Sequence, residues 1–112
     1  MATSMTAIEQ ALSYFHAFES KDLARLADLL HPEVTLRDWT VDISGIELVL
    51  AEMNKAFRSF SSIRVKPINV FQENSVIIAE LSISLDDEVI DVVDILEFSN
   101  KLTICSIRAF KG

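Results

Sequence analysis

A chain of 112 residues, half of them apolar and with only two Gly and two Pro, makes one domain with a real core and excludes the disordered and low-complexity classes. Seventeen acidic against ten basic residues leave a net charge of −7, which argues against a nucleic-acid binder and against a polybasic membrane-surface role. The single cysteine, Cys105, excludes an intrachain disulfide and reads as a small buried residue.

In chain order, MATSMTAIEQ carries one acid, no base and no apolar core region, so it does not read as a secretory signal. No apolar run reaches the ~18 residues of a membrane helix, and a cytoplasmic protein is the expectation. Residues 6–20 place Ile8, Ala11, Leu12, Phe15 and Phe18 at helical spacing, with Thr6 and Glu9 as a candidate capping box. Asp22 can cap a second helix with the stripe Leu23, Leu26, Ala27 and Leu30, stopped by Pro32. Residues 33–43 predict one extended segment. Ser44 and Glu47 form a second candidate capping box, ahead of the stripe Ile46, Val49, Leu50, Met53, Phe57 and Phe60. The helical period then stops. Residues 62–72, 75–85, 88–98 and 102–110 predict four strands, joined by turns at 73–75, 86–87 and 99–101. Helices first and hairpin-linked strands after them predict an α+β domain spanning 1–112, with a sheet that can curl around three helices and leave a pocket.

The stretch DVVDILEF, residues 91–98, contains the least expected residue. As a strand it sets Asp94 on the face of Ile90, Val92, Leu96 and Phe98, while Asp91 and Glu97 face the other way with Val93 and Ile95. An ionised carboxylate among apolar side chains must be paired, protonated or solvated from a cavity. Arg108 is one candidate partner, a register shifted by one is another answer, and a neutral acid donating a hydrogen bond into a pocket is the third. Asp38 shares a strand face with Val34 and Leu36 and reads either as an exposed strand-end acid or as the ionised half of an acid/base pair with Asp94. Tyr14, the only tyrosine, sits at the edge of the first helix's stripe, a position typical of a core residue whose hydroxyl finds a partner. His16 lies near the opposite edge, and His31 stands at a helix end. Trp39, Phe18, Phe57 and Phe98 read as core or pocket wall. No trusted metal-ligand spacing, glycine-rich phosphate loop or G-x-S-x-G motif is present, so no metal is expected.

Two stretches carry a family resemblance, YFHAFESKDLARLADLLHPEVTLRD near the amino terminus and VVDILEFSNKLTICSIRAF near the carboxyl terminus. Their order and spacing resemble the cystatin-like cone of the nuclear transport factor 2-like superfamily, with its SnoaL-like cyclases and Δ5-3-ketosteroid isomerases. The resemblance implies three amino-terminal helices packed on a curved, mostly antiparallel sheet. The isomerase site pattern falls on Tyr14, Asp38 and Asp94. It implies Asp38 as general base, Tyr14 and protonated Asp94 as donors to the ketone oxygen, and Phe98 on the apolar wall, acting on a small hydrophobic substrate without a cofactor. Two positions depart from that pattern: Asp38 is followed by Trp39 where Pro is common, and no further tyrosine supports Tyr14. The same cone implies, as alternatives, a cyclase, hydrolase or dehydratase, or a non-catalytic ligand-binding or interaction module. The outer sheet face, with Val89, Val93 and Ile95, is apolar enough to predict a homodimer, which the family also implies.

Overall fold

The structure, a computed structural model, describes residues 6–112; the stretch MATSM lies outside them. Helix α1 (Ala7–Glu19) starts at the predicted capping box. Thr6 Oγ1 accepts from the Glu9 N–H at 3.1 Å, and Glu9 Oε1 accepts from the Thr6 N–H at 3.0 Å. Its buried face is Ala7, Ala11, Tyr14, Phe15 and Ala17. This corrects the predicted stripe: Leu12 is 42 % exposed, and Tyr14 is inside the packed face instead of at its edge.

Helix α2 (Leu23–Leu29) is capped by Asp22, which accepts from the Arg25 N–H at 3.0 Å. It ends one turn before Pro32, at Leu30, which is already extended. Proline disfavours the helical region for the residue before it, so the chain leaves the helix early. Pro32 itself falls in β1 (Leu30–Arg37), in the stretch where pairing with the last strand is interrupted between Leu30 and Thr35. A residue without an N–H fits that gap in the ladder.

The predicted extended segment 33–43 is in fact a hairpin of β1 and β2 (Asp42–Ser44), closed by the Asp38 N–H donating to the Val41 carbonyl at 2.9 Å. The Ser44 capping box does not form. Ser44 is in β2, and Gly45 caps α3 (Ile46–Ser59) with no side-chain bond. Gly45 has φ +96°, which a side chain would strain, and its N–H donates to the Val34 carbonyl at 2.8 Å. Val49, Met53 and Phe57, four residues apart, form the buried stripe of α3.

Strands β3 (Ile63–Glu73), β4 (Val76–Leu85), β5 (Glu88–Phe98) and β6 (Ile104–Lys111) form an antiparallel meander, and β6 then pairs β1 in parallel. Asn74 and Asp86 take positive φ in the first two turns, as short polar residues tolerate. The sheet order is β2-β1-β6-β5-β4-β3. This is the expected α+β cone, three helices on a mostly antiparallel curved sheet. One end of its concave face is filled by Leu26, Leu29, Val34, Val49, Ile77, Leu96, Ile104 and Ile107. The other end is not filled, and the candidate site lies there. Among the described residues, no helix is long and apolar enough to cross a membrane.

Candidate functional site

Asp94 lies on the concave face in the register predicted from DVVDILEF. Val92, Asp94, Leu96 and Phe98 are buried, and Asp91 and Val93 are exposed. Its neighbours across the ladder are Ala79 on β4 and Ala109 on β6. Two alanines beside an aspartate leave room that larger side chains would close, and the cavity opens there. Arg108 points away: it is paired to Ile95 in register and, among the described residues, its only ion pair is with Glu97, at 4.0 Å on the solvent side. Asp94 is 7 % exposed and has no protein hydrogen-bond partner among the described residues, while its oxygens reach the cavity. Burial, and then the negative charge of Asp38, push its carboxyl up from 3.8 to about 7.

Tyr14 faces the same cavity from α1, 5 % exposed. Its ring is set by an edge contact with Phe15, centroids 5.6 Å apart, and a tilted contact with Phe18 at 6.5 Å. Burial, followed by the charges of Asp94 and Asp38, raises its phenol well above the usual value of 10. It therefore stays a neutral donor throughout the physiological range. The phenol feels both carboxyl groups, so the three side chains belong to one electrostatic site.

Asp38 ends β1 at the cavity's rim, half-buried. One of its oxygens, Oδ1, closes the hairpin: it accepts from the Thr40 N–H at 2.7 Å, the Thr40 hydroxyl at 2.9 Å and the Val41 N–H at 2.9 Å. All three bonds fall on one oxygen. The carboxylate is thereby held in a fixed orientation, with Oδ2 left to act on a ligand.

The cavity measures about 150 Å³, a volume that holds a ring the size of benzene. Phe18 and Trp39 line it, together with Leu36, Met53, Leu81 and Ile107. Phe57 and Phe98 do not. Phe57 backs the wall by stacking edge-on against Phe18, with centroids 4.9 Å apart. Phe98 shares Asp94's face but lies opposite Ile104 in the packed end of the cone, two rows away from the cavity. Glu52, on α3, also lines the cavity and was not predicted. Its position in the sequence is that of an ordinary polar residue on an amphipathic helix, which carries no local signal. No group of three or more His, Cys, Asp or Glu among the described residues could hold a metal ion.

Chemically, the arrangement sets hydrogen-bond donors at an apolar floor and a fixed carboxylate at the rim. Such a site can bind a carbonyl oxygen and exchange a proton at a neighbouring carbon. The architecture is that of an α+β cone with a cavity at one end of its concave face. Residues 11–104 match the SnoaL-like domain family, and the chain belongs to it. Among curated proteins, none matches the sequence. The fold is similar to that of an NTF2-like protein of unknown function from Cytophaga hutchinsonii, at 16 % identity and a TM-score of 0.86, covering 100 % of this chain and 95 % of that one. It is also similar to a proposed ketosteroid isomerase from Kribbella flavida, at 16 % identity and a TM-score of 0.82, covering 95 % and 77 %. A third similar structure is an LEH-like epoxide hydrolase from M. tuberculosis, at 13 % identity and a TM-score of 0.79, covering 95 % and 82 %. At these identities the likeness concerns the fold.

Proposed function

We propose that this SnoaL-like domain catalyses cofactor-free proton transfer from the α- to the γ-carbon of a small, one-ring β,γ-unsaturated ketone. The observation that carries the reading is Asp94: a buried carboxyl without a hydrogen-bond partner among the described residues, raised to about 7, sharing one cavity with Tyr14 and Asp38. In the reaction, Asp38 Oδ2 takes a proton from the α-carbon of a β,γ-unsaturated ketone. The electrons move onto the carbonyl oxygen, giving a dienolate held by hydrogen bonds from Tyr14 and protonated Asp94. Asp38 then returns the proton to the γ-carbon, and the double bond ends in conjugation with the carbonyl. The donors stabilise charge that exists only in the transition state and intermediate, which is where stabilisation accelerates a reaction. The cavity volume favours a single ring over a fused steroid skeleton, since most sites for drug-sized ligands are about 300 Å³ or larger.

The test is to incubate the protein with 3-cyclohexenone and follow the ultraviolet absorbance of the conjugated 2-cyclohexenone. The expected result is turnover well above the buffer-catalysed rate, with a Δ5-3-ketosteroid converted far more slowly. Conversion of neither ketone sinks the reading.

The same reading extends to assembly as a homodimer. On the convex face Val93 and Phe110 are cross-strand neighbours, the latter 52 % exposed. Beside them run Phe71, 60 % exposed, Ile78 and Ile95. Glu80 and Arg108 border this apolar strip with opposite charges, which supports self-pairing about a two-fold axis. Sedimentation is expected to give twice the 12.6 kDa chain mass. Phe110→Glu is expected to restore the single-chain mass, and a wild-type mass of one chain at micromolar concentration sinks the dimer.

A further inference from the structure

The polar groups that line the cavity are all acidic or uncharged. They are the carboxyls of Asp38, Glu52 and Asp94, the Tyr14 hydroxyl and the Trp39 indole, and no Lys, Arg or His is among the lining residues. Tyr14 and Asp94 are buried at the floor and, among the described residues, make no side-chain hydrogen bond within the protein, so their polar atoms are open to a ligand in the cavity. Glu52 and Asp38 lie with Trp39 among the residues nearer solvent. Glu52 has no ion-pair partner and no hydrogen bond among the described residues. Trp39, 47 % exposed, already takes an ammonium: Lys111 Nζ is 5.9 Å from its ring centroid, within cation–π reach. Lys111 does not itself line the cavity. Arg37, next to Asp38 in the chain, is exposed on the other face of β1.

An anionic substrate entering this cavity meets carboxylates and no cationic lining side chain in a partly desolvated site, where like charges repel more strongly than in water. A cation meets the opposite. We infer that the substrate is a small ketone that carries a protonated amine, with its carbonyl against Tyr14 and Asp94 and its ammonium at the mouth, held by Glu52 and the face of Trp39. The inference rests on the carbonyl reading of the same cavity and adds the charge of the substrate's other end. It excludes carboxylates, phosphates and acyl thioesters of phosphorylated carriers as substrates.

Trp39 is the chain's only tryptophan, so its fluorescence reads binding at the mouth without a label. The probes are one-ring phenols, which present an oxygen to the donors as a dienolate does. They are 4-methylphenol as the neutral member, 4-hydroxybenzylammonium and tyramine as cations of two lengths, and 4-hydroxybenzoate as the anion. At low salt the better of the two cations is expected to bind about fivefold more tightly than 4-methylphenol, the scale of a half-exposed ion pair. The anion is expected to bind at least about tenfold more weakly than the neutral phenol, and both differences are expected to shrink as salt is added. Glu52→Gln is expected to abolish the preference for the cation. Equal affinity for all three charges, tighter binding of the anion, or a cation preference unchanged in Glu52→Gln overturns the inference.

Benzylammonium against benzyl alcohol, neither with a phenolic oxygen, separates the two readings. If the phenols fail to bind while benzylammonium retains a Glu52-dependent advantage, the carbonyl reading has failed and the cation site stands. If phenols bind through Tyr14 and Asp94 without discrimination by charge, the carbonyl reading stands and the cation site has failed. Absence of binding by every probe overturns both.

Discussion

Asp38→Asn is expected to slow proton transfer by about 10²- to 10⁴-fold, the range that a positioned general base contributes, while leaving phenol binding as tight as before or tighter. The substitution isolates the chemistry because Asp38 has two jobs on two oxygens. Oδ1 accepts the three hydrogen bonds that close the β1–β2 hairpin. The amide oxygen of asparagine can accept the same three, so the turn survives. What disappears is the oxygen that can take a proton, together with one negative charge. Asp38→Ala is the contrasting variant: it removes the base and the turn together. It is expected to cost about 1–2 kcal/mol of stability besides the activity, the scale of a lost cap or turn. Because the charge of Asp38 helps to hold the Asp94 carboxyl up, Asp38→Asn is also expected to lower the pH at which Asp94 titrates, read by carbon NMR of the carboxyl. A wild-type rate in Asp38→Asn, with a true substrate in hand, removes Asp38 from the reaction and leaves it as a turn former.

How much of this site was legible in the sequence differs residue by residue. Asp94 could be placed because strand side chains alternate strictly, and a one-residue error would have exposed Val92, Leu96 and Phe98 together. The meander could be read from Asn74 and Asp86, short polar residues where the chain takes a positive φ. Tyr14 reads from the sequence as an edge residue of the first helix's stripe, whereas the structure buries it. Hydrophobic periodicity weighs Leu12 heavily and Ala7, Ala11 and Ala17 lightly, whereas close packing against a sheet favours the alanines. The hairpin at Asp38 was missed because DWTV contains no Gly or Pro. The turn signal there is the aspartate's own side chain, which bonds the backbone two and three residues on. Phe57 and Phe98 were assigned to the cavity because their faces are right. Which row along a strand or turn along a helix meets empty space depends on tertiary packing, and no local pattern records it. Glu52 had no local signal at all, because only the curvature of the sheet brings α3 to the mouth.

The stability of the wild-type protein is expected to fall as pH rises from about 4 to 8, relative to Asp94→Asn, by about 4 kcal/mol. In the unfolded chain Asp94 loses its proton near 3.8, and in the folded chain near 7. Below 3.8 both states hold the proton and the contribution is fully present. Between 3.8 and 7 the folded state binds more protons than the unfolded one, so each step up in pH favours unfolding. Above 7 both states are ionised, and the whole cost of a buried charge is in place. A rise from 3.8 to about 7, at about 1.4 kcal/mol for each pH unit, amounts to about 4 kcal/mol. Asparagine is a neutral stand-in for the protonated acid and does not titrate. Urea unfolding of both proteins across this range is therefore expected to give matching stabilities near pH 4 and a growing advantage for Asp94→Asn, complete by pH 8. Titrating groups that do not interact with Asp94 cancel in the difference. Activity is expected to run the opposite way: kcat/KM of the wild type falls as pH rises through about 7, where Asp94 stops being a donor. Asp94→Asn is expected to be the more stable and the slower protein at pH 8, and a group kept for packing alone has no reason to show that opposition. Parallel unfolding curves for the two proteins across the range would mean that Asp94 meets water freely in the folded state, and its place as a neutral donor would be lost.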